Sequence, residues 1–344
     1  MSRIVLGVRL PFTAQASDVP PISLNPPFPL VNAFSPGLQL PRSWEWNFAI
    51  EKEFIGHQTL TATYAGQYGQ DLLRQQALYK PNPNFSSAFL LTDNSAFSNY
   101  NALELQYRAA AGAVQTLLNY TYSHSLDNSS NDVVAGLSNT VVSGASDYSS
   151  SDFDVRHSFS GAITVTAPAA HRCHFLKALS EGWSAAGVAV VRTGFPFNGK
   201  DLSLSSVTGG YIYTRPDRVR GEPAWAASPS AAGGKALNPA AFVVPAGIRQ
   251  GTEPRNDIRG FDLAQLDVSM ARTFPLVENW RLKFQADAFN VANHPNFGNP
   301  AAVLGRGSTY LQSQQMLNNA LGGLNPLFQE GGPRSLQLAL KLSF

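Results

Sequence analysis

The last ten residues, Ser335 to Phe344, alternate polar and apolar without a break. On an extended strand Leu336, Leu338, Leu340, Leu342 and Phe344 share one face, and Ser335, Gln337, Ala339, Lys341 and Ser343 share the other. This is the pattern of a strand with one face in lipid and one toward a polar interior. Its length meets the roughly 9–11 residues that a tilted strand needs to cross a hydrocarbon core.

Composition favours the same reading. Charged residues make up 14% of the chain and aromatic residues 11%, against roughly 25% charged residues in average soluble domains. The chain has no apolar run of about 18 residues, so a closed β-barrel is the remaining way to cross a bilayer. A net charge of +2, spread along the chain, excludes nucleic acid as a partner class. The single Cys173 leaves no intramolecular disulfide.

Alternation marks about ten antiparallel strand candidates, at residues 3–12, 44–51, 58–70, 103–108, 114–127, 153–167, 182–197, 262–274, 280–288 and 335–344. The connections divide by length. One end receives Ile55 to His57, Gly112 to Ala113, Pro168 to Glu181 and Pro275 to Glu278, three of them short. The other receives the long segments 13–42, 71–99, 128–152, 198–261 and 292–334. Outer-membrane barrels divide in this way, with short periplasmic turns and long extracellular loops. The expected fold is all-β: an antiparallel transmembrane barrel segment with long extracellular loops, in the cell outer membrane.

On that reading Glu45, Glu104, Arg108, Asp154, Arg156, Lys283 and Asp287 face the lumen, where Asp154 can pair with Arg156 and Lys283 with Asp287. Trp44, Trp46, Tyr120 and Tyr122 near the outer end, and Trp280 and Phe344 near the periplasmic end, are candidate membrane-interface aromatics. His171-Arg-Cys-His174 is the one compact group of metal-type ligands, but no second pair follows it, so no metal is expected. His157 and His294 suit strand-end and loop hydrogen bonding. With no nucleophile elbow, no P-loop around Gly233-Gly-Lys235 and no scaffolded carboxylate pair, neither catalysis nor a cofactor is expected.

Four stretches carry a resemblance. They are Asp154-Val-Arg-His157; Gly182-Trp183 with Thr193-Gly-Phe-Pro-Phe197; Arg255-Asn-Asp-Ile-Arg-Gly260; and Phe289-Asn-Val-Ala-Asn-His-Pro-Asn-Phe-Gly-Asn-Pro300, followed by the strand ending at Phe344. In this order they resemble the carboxy-terminal barrel of TonB-dependent transporters of the Oar-like type, whose members often carry an amino-terminal carboxypeptidase regulatory-like domain. The resemblance covers roughly residues 40 to 344 and implies a barrel of about 22 strands closed by a plug and energised by the TonB system. It also implies that the Phe344 strand addresses the outer-membrane assembly machinery.

Plug, TonB-contacting box, regulatory domain and export signal are not legible in residues 1–344. The whole chain therefore reads as the terminal part of a longer transporter, its partners being lipid, the plug and the remaining strands. Two rivals stay open: a stand-alone porin or adhesin-like barrel, and a soluble secreted β-sandwich binding module.

Overall fold

The computed structural model describes residues 25–28, 31–79, 81–86, 88–130, 147–167, 181–205, 210–246, 249–277, 280–317 and 331–344. Nine strands form one continuous antiparallel wall: β1 (Arg42–Phe54), β2 (Gln58–Tyr79), β3 (Ala88–Ala111), β4 (Val114–Asp127), β5 (His157–Thr166), β6 (Trp183–Arg192), β7 (Leu263–Pro275), β8 (Arg281–Phe289) and β9 (Ser335–Ser343). Each pairs with its neighbours in the chain. They correspond to nine of the expected strands; the candidate at 3–12 lies outside the described residues.

The register keeps the two periodicities separate across the wall. One row reads Ile50, Ala62, Leu105, Tyr120, Phe159, Val191, Ala264 from β1 to β7. The next row, one residue along each strand, reads Glu51, Thr61, Gln106, Asn119, Ser160, Val190, Gln265. Pleating sends adjacent rows to opposite faces, so one face is apolar and the other largely polar.

On the polar face, side chains bond across strands. Thr61 Oγ1 donates to Glu51 at 3.1 Å, and Gln106 Nε2 to Asn119 Oδ1 at 2.8 Å. The apolar face is bare: Leu336, Leu338 and Leu340 of β9 are 68%, 62% and 70% exposed. Burying that area needs an apolar medium.

Two expectations need correction. Residues 71–99 are not a loop, because β2 and β3 continue as a paired ribbon to Tyr79 and from Ala88, with a register shift near Leu72. At about 3.3 Å per residue, 22 and 24 residues reach well beyond a bilayer core. The strand Val31–Phe34 adds to this extension in parallel, along Phe89 to Thr92 of β3.

The second correction concerns the connections β6–β7 and β8–β9, which fold rather than hang as open loops. Short pairings join Asp217–Arg218 to Phe242–Val243, Trp225–Ala227 to Lys235–Leu237, and Pro196–Phe197 to Ile258–Arg259. Leu237, Ala241, Phe242, Ile258, Ala302 and Leu304 make a small buried core there.

Candidate functional site

The folded connections sit at the long-loop end and grip the wall through ionic side chains. Arg255, nearly fully buried, reaches Asp127 at the end of β4, donating to its carboxylate and, at 2.7 Å, to its carbonyl oxygen. It also donates to the Asp147 carbonyl at 2.9 Å, Ser130 Oγ at 3.2 Å and Asp152 Oδ1 at 3.3 Å. Neighbouring Asn256 donates to the Ser150 carbonyl at 2.8 Å and to Asp152 at 2.7 Å. Asp127 aligns with Ser98 on the polar-face rows, so the cap is tied to that side of the wall.

A second knot forms around Asp154, whose carboxylate is fully buried. It accepts the Ser125 N–H at 2.7 Å, pairs with Arg259, and takes Arg156 Nε at 3.2 Å. Burial alone would raise this carboxyl. The Ser125 hydrogen bond and the Arg259 and Arg156 charges outweigh it and hold Asp154 below the ordinary value. Its contribution to stability is therefore present above that ordinary value and lost as pH falls through the depressed one. Arg259 also donates to the Asp154 carbonyl at 2.6 Å, and its own carbonyl accepts Trp225 Nε1 at 3.0 Å.

The other motifs converge on the same junction. Gly260 N donates to Phe195 O at 3.0 Å, and Gly194 N to Asp262 Oδ1 at 2.9 Å. A Cβ at Gly260 would lie 1.8 Å from Asn299 Oδ1, which explains glycine at that approach. Asn290, with φ of 46°, donates to the His294 and Gly332 carbonyls, both at 2.9 Å, and its N–H reaches Asp267 at 2.7 Å. Buried Asn296 accepts the Ala264 N–H at 2.9 Å. The Asn-rich block is thus a pin between the β8–β9 connection and β7. Lys235 lies 4.5 Å and 4.6 Å from the Trp225 and Phe261 ring centres, and burial lowers its pKa.

Of the expected lumen residues, Glu45, Glu104, Arg108, Lys283 and Asp287 share the polar rows of the wall. Asp154 and Arg156 instead precede β5 and belong to the ionic knot. The Lys283–Asp287 pair is not formed, since Asp287 accepts Gln285 Nε2 at 2.9 Å and 3.0 Å. Trp44 stacks on Tyr68 toward the long-loop end, and Trp280 packs on Phe344 at the short-turn end. Tyr120 and Tyr122 both contact His157, Tyr120 through a 2.8 Å hydrogen bond. His171 to His174 lies outside the described residues; among the described residues no group of three or more His, Cys, Asp or Glu could hold a metal.

Sequence reasoning missed Asp127, Asp147 and Glu253. Glu253 is buried, accepts Gly199 N at 3.1 Å through Oε1, and has no partner for Oε2 among the described residues. Burial pushes its carboxyl up to about 8. The free proton therefore favours the folded cap: stability is full below the ordinary value of 4.5 and falls as pH rises toward 8. Protection of the cap's amides against hydrogen exchange, corrected for the intrinsic pH dependence of exchange, is expected to weaken over that window by at most about 1.4 kcal/mol per pH unit. Glu253→Gln should flatten this slope; an unchanged slope would show that another group causes it.

Chemically, the arrangement holds a rigid polar cap against the polar face of a two-faced wall. Residues 5–337 match the family model described as outer membrane beta barrel domain. No curated protein matches. The crystal structure of the outer membrane transporter YddB from Escherichia coli is similar in fold, with a TM-score of 0.50 and 10% identity, over 88% of this chain and 33% of that one. The chain thus spans about a third of that transporter's length. With a family match over nearly its whole length and an apolar face that needs lipid, the chain belongs to the outer membrane β-barrel domain family and resides in the outer membrane.

Proposed function

We propose that the chain supplies wall and extracellular loops to a TonB-dependent transporter of the Oar-like type, which captures a scarce ligand at the cell surface and admits it. In this reading the plug and the remaining strands belong to the same longer protein, together with a carboxypeptidase regulatory-like domain and the contact with TonB. Glu45, Glu104, Arg108, Lys283 and Asp287 line the path or meet the plug. Trp44, Trp46, Tyr120, Tyr122, Trp280 and Phe344 anchor the wall at the two interfaces, and the β9 strand addresses the assembly machinery. The chain binds and conducts rather than catalyses.

The observation that carries this reading is the fold likeness to an outer membrane transporter of which the chain spans about a third, and the open wall is consistent with it. Eight antiparallel ladders in succession leave β1 and β9 running the same way, each with an open edge among the described residues. Open edges in lipid cost several kcal/mol per unpaired group. Joining β1 to β9, or to β9 of a second copy in the same orientation, would create a parallel pair in an antiparallel wall. An odd number of further strands closes it antiparallel, whether the single candidate at 3–12 of a small barrel or the larger set of a transporter barrel. The cap on the polar face supports a loop surface built for capture.

The test is an immunoblot of outer membranes, heated and unheated, with an antibody against residues 198–261. A heat-modifiable band far above 37.0 kDa is expected. A band near 37.0 kDa would replace this reading with a self-contained small barrel.

A further inference from the structure

Over much of the polar face, side chains satisfy one another. Gln67 donates to Glu45 at 3.1 Å, Thr61 to Glu51 at 3.1 Å, Gln106 to Asn119 at 2.8 Å and Gln265 to Asp267 at 2.9 Å. Toward the short-turn end of β3, β4 and β5 this pairing stops. Arg108, Leu117 and Ala162 share one row there, and Ala110, Gln115 and Thr164 share the row two residues further down. Both rows lie an even number of residues from Gln106, Asn119 and Ser160, and so on the same face. Among the described residues no partner engages the Arg108 guanidinium, the Gln115 amide or the Thr164 hydroxyl.

These unspent groups surround a depression. Ala110 and Ala162 are short, and between the longer Arg108 and Gln115 they leave a groove of about 370 Å³. His57, whose carbonyl accepts the Ala110 N–H at 3.2 Å, borders it at the turn, and Leu117 gives it an apolar side. This is the small end of the range for ligand pockets, roughly 300–1,000 Å³. The charge it holds is positive. Glu53, the nearest carboxylate in the row of Arg108, stands two strands away beyond Thr59, roughly 10 Å along the sheet, and no ion pair joins the two.

We propose that this groove binds a carboxylate carried on an apolar body, an aromatic or short aliphatic acid. The carboxylate lies on Arg108 with the Gln115 and Thr164 donors, and the body lies against Leu117 and Ala162. A guanidinium offers two parallel N–H donors that match a planar carboxylate. One cation balances one negative charge, which selects a monoanion over a doubly charged phosphate. The apolar residues beside Arg108 then cover the rest of the ligand, a use that a purely ionic contact would not need. As a station in transit the groove rests on the transport reading; as a binding site it needs the wall alone, so the two can fail separately.

Fluorine NMR of para-fluorobenzoate, added to the protein extracted from outer membranes in an uncharged detergent, tests it. Saturable line broadening is expected, reversed by excess unlabelled benzoate. Para-fluorobenzamide, of the same shape without the charge, should bind about tenfold more weakly or worse. Arg108→Met should weaken benzoate binding by about the same factor, and Arg108→Lys by less, because it keeps the charge without the fork. Ala162→Phe, or Ala110→Leu if the first fails to insert, should abolish binding with Arg108 in place while heat-modifiability is kept. Three outcomes overturn the proposal: no saturable binding to the unaltered protein, as when a carboxylate of the same protein already fills the groove; equal binding of the benzamide; or full binding by Arg108→Met or by the filled-groove variants. Benzoate binding by a protein whose heat-modifiable band lies near 37.0 kDa would remove the transport reading and leave the site standing.

Discussion

Replacing Arg255 by methionine is expected to cost the cap about 3–5 kcal/mol, the usual penalty for stranding one partner of a buried ion pair. Asp127 would keep a buried carboxylate without its guanidinium, and the Asp147 and Asp127 carbonyls and Ser130 would lose a donor together. The methionine fills much of the volume, so the effect is electrostatic rather than a cavity. Exchange of the amides from Gly251 to Arg259 should accelerate by roughly a hundredfold or more, which follows from that penalty. Heat-modifiability of the wall should be unchanged. Arg255→Lys should rescue only in part, because a single ammonium cannot reach five acceptors at once. Unaltered exchange in both variants would show that the cap is held by its apolar core instead.

The second large effect belongs to the wall. Leu340, 70% exposed on the apolar face and paired with Phe284, sits mid-strand in β9. Leu340→Arg is expected to destabilise the folded barrel by about 2–4 kcal/mol, the cost of a cation at the bilayer midplane. Ala339→Arg moves the same charge one residue along, onto the polar face beside Gln285, and should be tolerated. Urea midpoints of the two variants in membranes read the difference. Equal midpoints would mean that the two faces have been assigned wrongly.

The wall was legible because lipid on one side and a polar interior on the other impose a two-residue period on every crossing strand. Where that asymmetry ends, so does the signal. The upper halves of β2 and β3, with Asp71, Asp93 and Asn94, reach beyond the membrane, where no lipid imposes an apolar face, and read as loop although they form a ladder. The cap was harder still. Its core residues Leu237, Ile258 and Leu304 come from strands of two or three residues, too short for any period. The motifs around Asp154, Arg255 and Asn290 stood out individually, yet nothing local indicates that Arg259 meets Asp154, 105 residues away. Charge excess of opposite sign, basic in residues 255–259 and acidic in 147–154, was the one available hint.

The order of the wall also bears on how it can be made. Every ladder between the nine wall strands joins neighbours in their chain order, and because closure entropy grows only slowly with loop length, even the long connections β6–β7 and β8–β9 add little to the cost. The sheet can lengthen by one hairpin at a time, each arriving strand covering the edge left by the last, with none threaded between two already joined. An insertion machine working from one end of the chain needs to guard a single growing edge, and a strand that docks one residue out of step disturbs only the two ladders it borders.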